Sequence, residues 1–353
     1  MTMKRRTLLK SAGTLALAAP FISSARAAQA VVTLAGYGGL FRDRYQAAVL
    51  DPFQKANPDI RVEYYQVNNS AQNLGTLRGQ KAAPQIDLSI LDVTIAKGGT
   101  DEQIFKPVTA AQVPAIADLH PQAIIKGVAG PGVTFDSLEI VYAVDRVPKK
   151  PTSWAGLSDP VYLRQIGVGG VPSIESIGMM MLMSGQKGKI SDYDAAVEAG
   201  FKAMEKIAPN VLTWDPRPDA GAFVLGGAAS VGIIWNARAQ SYVDQSGGKL
   251  AVADASEGTT LQINAINLVN GAPQEEAALK FMNYALGQEA QKAFTEAMFY
   301  APTNAKAQIK PEVLARTVAA PEKMARVVSV DWIKIAGIRD AITQQWRRRI
   351  AAQ

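Results

Sequence analysis

The sequence contains no cysteine and only one histidine among its 353 residues. The lack of cysteine excludes disulfides, thiolate metal sites and cysteine nucleophiles, and also lipoproteins that are anchored through an N-terminal cysteine. With His120 alone and no G-x-S-x-G segment, a Ser-His-Asp hydrolase has little to build on. Stability must therefore come from a hydrophobic core, and the sequence predicts no catalytic site, metal site or cofactor.

Apolar runs long enough for a membrane anchor are also lacking in the first part of the chain. The soft apolar run Ala12–Ile22 is shorter than the roughly 20 apolar residues that span a bilayer. It follows the basic stretch Lys4–Lys10 and precedes small residues that end at Ala27 or Ala30. These are the three parts of a removable signal peptide. A buried helix at Ala12–Ile22 is the alternative interpretation.

The basic stretch contains the pair Arg5-Arg6, followed by Thr7-Leu8-Leu9-Lys10. This order resembles a twin-arginine signal, which addresses a bacterial protein for export. We therefore predict that residues 1–30 are a signal peptide cleaved after Ala27 or Ala30. On this interpretation the twin-arginine translocase exports the chain, and the protein works in the periplasm.

Acidic residues are absent from residues 1–27, which carry five cations. Since the whole chain has a formal charge of +6, the remainder carries only +1. A nucleic-acid surface needs Lys and Arg clustered on the folded domain. The run Arg347–Arg349 is instead typical of cations near the C-terminus of a helix. The sequence therefore predicts no nucleic-acid partner.

Strand and helix patterns alternate along the rest of the chain. Val31–Ala35 is a β-branched apolar run, 42–56 shows helical spacing, and Ile60–Tyr65 alternates like a strand. Further strands are predicted at Ile86–Leu91, Leu138–Ala143, Ile166–Val171, Val211–Trp214, Ser230–Trp235 and Ile263–Val269. This alternation predicts an α/β fold with parallel sheets. The length exceeds the roughly 250–300 residues at which single cores stop growing, so two lobes are expected.

Aromatic, acidic and glycine residues follow several of these predicted strands. In open α/β sheets ligands bind beyond the carboxyl ends of the strands. Glycine lets the backbone approach a ligand, and helix N-termini supply free N–H donors. The candidate ligand-binding residues at such positions are Tyr37, Gly38, Gly39, Asp92, Ser173, Glu175, Trp235, Asn236 and Tyr300.

Four segments resemble the periplasmic solute-binding proteins of ABC importers, in the family that includes the spermidine/putrescine binders. Ser230–Asn236 resembles the family's apolar strand that ends in a Trp of the ligand box. Glu257-Gly258 with Leu261–Val269 resembles the return crossing to the first lobe. Tyr300–Asn304 and Thr152–Leu157 resemble a tyrosine-proline-asparagine segment and a common helix start of the family.

The resemblance implies a two-lobed type II periplasmic-binding fold that closes over a ligand. Each lobe would be a mostly parallel sheet flanked by helices, and crossing strands near Val141–Val144 and Asn264–Leu268 would form the hinge. Lobe 1 would comprise 31–139 plus 266–302, and lobe 2 would comprise 140–265 plus 303–353. The protein would be a monomer without enzymatic activity that delivers its solute to an ABC transporter permease.

The resemblance also implies a ligand class. Tyr37, Trp235 and Tyr300 fall on aromatic box positions of the polyamine binders, and Glu175 falls on an acidic position. The family's Trp-x-Asp reads Gln262-Ile263-Asn264 here, so the crossing strand lacks an aromatic wall and a carboxylate, although Asn264 remains a candidate ligand residue. We therefore predict a small polar solute, polyamine-like or another amine-containing metabolite.

Three alternatives remain open at this point. The same fold could bind ferric ion, for which Tyr64-Tyr65 is a tempting pair, although adjacent strand residues face opposite ways. It could also bind a small organic anion. An exported cofactor-dependent enzyme is the third alternative, but Gly36-x-Gly38-Gly39 does not match the dinucleotide fingerprint G-x-G-x-x-G.

Overall fold

A computed structural model describes residues 29–171 and 173–351. All but the last two residues of the predicted signal peptide lie outside the described residues. The strands are β1 Ala30–Tyr37, β2 Ile60–Val67, β3 Leu88–Asp92, β4 Phe105–Lys106, β5 Gly132–Ala143, β6 Ile166–Gly167, β7 Val211–Thr213, β8 Val231–Trp235, β9 Leu250–Val252 and β10 Leu261–Val269. None of the helices described is both long and apolar enough to cross a membrane.

The α-helices fill most of the connections between the strands. They are α1 Leu40–Tyr45, α2 Asp51–Ala56, α3 Ser70–Gly79, α4 Val93–Asp101, α5 Ile174–Met183, α6 Tyr193–Ile207, α7 Ala220–Leu225, α8 Asn236–Gln245, α9 Glu275–Ala285, α10 Gln288–Met298, α11 Pro311–Leu314, α12 Pro321–Met324 and α13 Trp332–Arg349. A π-helical turn, Gln46–Leu50, joins α1 to α2. This alternation confirms the predicted α/β class.

The sheet runs in the order β2-β1-β3-β10-β5-β8-β6-β7, with β4 beside β10 and β9 beside β5. Strand β1 is parallel to β2 and β3, and β6 is parallel to β7 and β8. Every antiparallel pairing between the strands described here involves β5 or β10. Two parallel sections are thus joined by two crossing strands, as the two-lobed fold requires.

Strand β5 belongs to both sections. Its residues Gly132 to Ser137 pair with β10, whereas Leu138 to Tyr142 pair with β8. The change of partner therefore falls between Ser137 and Leu138. The chain enters strand β10 from the section that contains β6, β7 and β8, and its pairing with β5 begins at Leu261.

Each section has its own hydrophobic core. In lobe 1, helices α1, α2, α9 and α10 bury Phe41, Phe53 and Phe281 against one face of the sheet. In lobe 2, Trp154 and Phe201 are buried with the methionines of α5. Burying a side chain of this size contributes about 1.5–3 kcal/mol, so each lobe has enough apolar packing to hold its own shape.

The lobes touch where helix α4 of lobe 1 meets α13 of lobe 2. Val93, the first residue of α4, is buried within the lobe 2 cluster. Helix α13 starts at the Asp331 carboxylate, which accepts from the backbone N–H groups of Ile333 and Lys334. The Trp332 indole then donates to the Leu261 carbonyl at 2.6 Å. The start of α13 is therefore attached to the crossing strand β10.

Gly258 precedes β10 and should tolerate no side chain. Its φ is +83°, and an added Cβ would lie 2.0 Å from the Arg326 carbonyl oxygen. Gly248 has a similar φ of +88° but nothing within 4 Å of the same position. We expect Gly248→Ala to cost about 1–2 kcal/mol of unfolding free energy from backbone strain alone, and Gly258→Ala to cost clearly more. Urea unfolding of both variants measures the difference, and equal losses would contradict the steric argument.

Candidate functional site

Tyr37, the last residue of β1, joins lobe 1 to the crossing strand β10. Its phenol donates to Asn264 Oδ1 at 2.9 Å and lies 2.7 Å from Ser70 Oγ. Burial raises the pKa of Tyr37 well above its ordinary value, and the nearby Asp92 carboxylate raises it further. The phenol therefore stays protonated and remains a hydrogen-bond donor.

Asp92 and Asn264 lie directly opposite each other in the β3–β10 pairing. Asp92 caps helix α4, since its Oδ1 accepts from the Thr94 and Ile95 N–H groups at 3.0 and 3.2 Å. The Asn264 amide donates to Thr134 Oγ1 at 2.9 Å. Three sequence-predicted residues, Tyr37, Asp92 and Asn264, thus come together in one network on lobe 1.

The backbone after Tyr37 turns away from this network at the two predicted glycines. The Gly38 N–H donates to the Val67 carbonyl at 3.1 Å, which extends the β1–β2 pairing. Gly39 has a φ of +61° and precedes α1, and the position of its absent Cβ has no atom within 4 Å. Open space therefore adjoins the backbone at Gly39.

The lobe 2 half of the candidate site is built around Trp235, the last residue of β8. Its indole N–H donates to Glu175 Oε1, on the first turn of α5, at 2.8 Å. Ser173 caps the same helix, because its hydroxyl accepts from the Ser176 N–H at 3.2 Å. The two predicted residues Trp235 and Glu175 therefore form one pair, which Ser173 positions.

An aromatic cluster connects Tyr37 to Tyr300. The Tyr300 ring stacks on Phe294 at 5.5 Å and meets Phe41 edge-on at 5.6 Å. Phe41 in turn meets Tyr37 edge-on at 5.4 Å. Sequence reasoning missed Phe41, although its place two residues after Gly39 was a usable signal.

Strand β5 relates the two halves of the site. Thr134 lies opposite Asn264, and Leu138 lies opposite Trp235. Alternate residues of a strand share one face, so Thr134, Asp136 and Leu138 point the same way. At about 3.3 Å per residue, Thr134 and Leu138 are about 13 Å apart. The lobe 1 network and the Trp235–Glu175 pair thus lie at the two ends of one short stretch of β5.

Asp136 lies between these two halves and is only 2% exposed. Its Oδ1 accepts from the N–H groups of Ser137 and Ala237 at 2.9 and 3.1 Å. Its Oδ2 has no hydrogen-bond partner in the described part of the chain. Sequence reasoning missed this acid because the predicted strand began only at Leu138.

A sequence profile of the bacterial extracellular solute-binding proteins matches residues 48–322. The chain belongs to this family. The spermidine/putrescine-binding periplasmic protein of Salmonella typhimurium is 26% identical over 231 residues, which are 65% of this chain and 62% of that relative. The match thus spans less than two thirds of that relative's length.

Two further similarities cover more of the chain. The gamma-aminobutyric acid-binding protein of Pseudomonas aeruginosa is 22% identical over 296 residues, 80% of each chain. The crystal structure of an ABC transporter substrate-binding protein from Bradyrhizobium japonicum superposes with a TM-score of 0.77 at 21% identity. It covers 91% of this chain and 99% of its own, so the two-lobed type II fold extends over nearly the whole molecule.

Asn236 does not join the cleft residues of this solute-binding protein. Its amide donates to the carbonyls of Phe299 and Arg316 at 3.3 and 2.9 Å. Its Oδ1 accepts from the Gln240 amide at 3.0 Å, and the residue is 1% exposed. Asn236 therefore fastens the start of α8 to the chain that follows α10.

A cavity of about 540 Å³ lies beside the cleft of this solute-binding protein, at the edge of β10. Val93 lines it from α4 and Ile263 from β10, and Trp332 and Ile333 line it from the start of α13. Lys126 and Lys189 also contribute to its wall. Sequence reasoning missed the contribution of α13, because nothing local in that helix indicates that it reaches the opposite lobe.

Tyr64 and Tyr65, the two tyrosines considered as ferric-ion ligands, have different surroundings. The Tyr64 phenol donates to the Tyr37 carbonyl at 2.7 Å, whereas Tyr65 is 45% exposed. The described residues contain no group of three or more His, Cys, Asp or Glu side chains that could hold a metal ion. The Tyr64 phenol therefore braces the turn at Tyr37.

Proposed function

We propose that this protein is the periplasmic substrate-binding component of an ABC importer. It captures a small amine-containing solute between its lobes and delivers the solute to a membrane permease without chemical change. The observation that carries this proposal is that one strand, β5, connects the Trp235–Glu175 pair of lobe 2 with the Tyr37–Asn264 network. Aromatic faces and a carboxylate are the groups that recognise an ammonium ion.

The relatives support the same ligand class. Spermidine, putrescine and gamma-aminobutyric acid, for which two of them are named, all carry an amino group that is protonated at neutral pH. Gamma-aminobutyric acid also carries a carboxylate, so a zwitterion is as consistent with the resemblance as a diamine.

We propose that the lobes close by a hinge in the two crossing strands. The bend belongs between Ser137 and Leu138, where β5 changes partners, and in the segment from Gly258 to Leu261. A hinge at Val141–Val144 would disrupt the strand pairing of β5 with β8 and β9, since Val141 pairs with both Gly232 and Val252. Closure around a ligand by a few residues at element ends is the usual motion of periplasmic binding proteins.

The cellular setting is part of the proposal. Export by the twin-arginine translocase, cleavage after Ala27 or Ala30 and action as a monomer in the periplasm remain predictions from the sequence. Expression of the full chain in a bacterium, followed by fractionation and N-terminal sequencing of the mature protein, tests the export and the cleavage site. Retention of the leader in the cytoplasmic fraction would contradict the export prediction.

Identification of the bound solute tests the proposed function directly. Native mass spectrometry of protein purified under mild conditions should reveal a co-purified small molecule. Calorimetry with putrescine, spermidine, gamma-aminobutyric acid, a dicarboxylate and a neutral sugar should then show binding of at least one amine. Failure of every amine to bind, with turnover of some substrate instead, would refute the proposal.

Glu175→Gln should weaken the binding of an amine-containing solute more than it weakens the binding of a neutral analogue of the same shape. The Gln side-chain oxygen can still accept from the Trp235 indole, so the geometry of the pair is retained while the charge is lost. Charge-assisted hydrogen bonds are roughly twice as strong as neutral ones, so we expect a loss of about tenfold for the charged solute. Calorimetry with both compounds measures the ratio, and equal losses would reject a charge role for Glu175.

A further inference from the structure

The most unusual polar group near the cleft is the Asp136 carboxylate. It is 2% exposed, and Oδ2 has no partner in the described residues. The other oxygen is held by two backbone N–H groups, one from Ser137 and one from Ala237 at the start of α8. The carboxylate is thus oriented but only half satisfied. A buried polar atom without a partner is unfavourable, which points to a group that is missing beside it.

Two aromatic residues lie near Asp136, on the two segments that pair with the same edge of β5. Phe135 pairs with Ala301, which places Tyr300 next to Asp136 on the same face. Leu138 pairs with Trp235, which places the indole two residues further along that face. The Tyr300 phenol makes no hydrogen bond within the described part of the chain, and the Asp136 charge acts on it directly by raising its pKa beyond the effect of burial. A carboxylate beside aromatic rings is a suitable environment for an ammonium group.

The other polar groups of the cleft already have partners. Asn264 is engaged by Tyr37 and Thr134. Glu175 accepts from Trp235, and Asp92 caps α4. Asp136 lies two residues from Thr134, the residue opposite Asn264. The carboxylate absent from position 264 is therefore present on the neighbouring crossing strand, within the same face of the sheet.

We propose that Asp136 anchors the positively charged end of the solute, with Oδ2 accepting from an ammonium group flanked by Tyr300 and Trp235. This assignment rests on the proposed function and deepens it by naming the group that selects the ligand class. The solute is then a primary or secondary amine that enters while the lobes are apart. Its ammonium group becomes buried when they close.

Protonation of Asp136 should be coupled to binding. Burial raises the pKa of Asp136 well above its ordinary value, and the neighbouring Glu139 raises it further, whereas the backbone N–H groups and Arg238 of α8 lower it. The raised pKa means that Asp136 in the empty site takes up a proton at a higher pH than an exposed aspartate does. An ammonium ion favours the carboxylate, so binding at a pH below the pKa of the empty site releases the carboxyl proton to solvent. Affinity for a cationic solute should therefore rise with pH until the pKa of the empty site is passed.

Asp136→Asn is the direct test, because Asn Oδ1 can keep both backbone hydrogen bonds while the charge is removed. Glu139→Gln is the matched control. Glu139 is a buried acid three residues further along β5 on the opposite face, where it lines a separate cavity and burial raises its pKa to about 7. Calorimetry with putrescine and gamma-aminobutyric acid in two buffers of different ionisation enthalpy gives both affinity and protons released.

We expect Asp136→Asn to lose at least tenfold in affinity and to lose the proton release, while Glu139→Gln keeps the affinity. Unchanged affinity and unchanged proton release in Asp136→Asn would overturn the assignment and leave the proposed function standing. Tighter binding at acidic pH would also overturn it, since a neutral acid would then be donating to a carboxylate of the solute. If Asp136→Asn fails to fold, the pH dependence of the wild-type affinity still decides, because an affinity for the cationic solute that does not fall as the pH is lowered contradicts the assignment.

Discussion

Replacement of Trp235 by alanine is expected to weaken solute binding by about 2 kcal/mol or more, which is the range of tryptophan hot spots in binding sites. The indole is 7% exposed and donates to Glu175. Its removal takes away an apolar wall and leaves the Glu175 carboxylate without its partner. Calorimetry with the solute identified by mass spectrometry measures the loss.

Trp235→Phe is the matched variant, because it keeps an aromatic face but lacks the N–H that reaches Glu175. Its affinity for the solute should lie between those of the wild type and Trp235→Ala. Trp214→Ala controls for the general loss of a tryptophan, since Trp214 packs edge-on against Trp346 of α13 at 4.6 Å. An unchanged dissociation constant in Trp235→Ala would remove this residue from the site, and with it the observation on which the proposed function depends.

Trp154→Ala is expected to lower the free energy of unfolding by about 3–5 kcal/mol, the usual cost of truncating a large buried aromatic residue. Trp154 is 1% exposed within the lobe 2 core, and its indole donates to the Gly258 carbonyl at 2.8 Å. The neighbouring Glu257 carboxylate accepts from the Trp154 and Ala155 N–H groups at 3.1 and 3.0 Å. The substitution therefore weakens both the core and the attachment of the second crossing.

Urea unfolding of Trp154→Ala and Trp154→Phe separates these two contributions. The phenylalanine variant keeps most of the apolar packing but loses the hydrogen bond to Gly258, which costs about 1 kcal/mol when the partner is left unpaired. A loss below about 1 kcal/mol in Trp154→Ala would contradict the close packing on which this expectation depends.

The strands that sequence patterns located well are those buried on both faces. The apolar run Val31–Ala35 became β1 at Ala30–Tyr37, and Ser230–Trp235 became β8 at Val231–Trp235. Such strands are apolar along their whole length because helices cover both sides of the sheet. The start of β5 at Gly132 was missed, because Thr134, Asp136 and Ser137 interrupt the apolar pattern.

Those polar residues are compatible with a buried strand only because of what surrounds them in the folded chain. Thr134 is matched by the Asn264 amide, and Asp136 by the backbone at the start of α8. Neither partner is near in sequence, so local periodicity cannot predict the pairing. The same holds for Asn236. Its position after a strand suggested a ligand-binding role, whereas in the structure its amide donates to the Phe299 and Arg316 carbonyls.

The α/β class, the aromatic and acidic residues at the strand ends and the resemblance to solute-binding proteins can all be recognised in the amino-acid sequence. These are local properties, since side-chain periodicity and turn residues depend on neighbours within a few positions. Tertiary structure alone decided that Tyr37 meets Asn264 across 227 residues, that Trp235 meets Glu175, and that Asp136 lies buried between them. Strand order and register set those contacts, and both depend on how the whole chain packs.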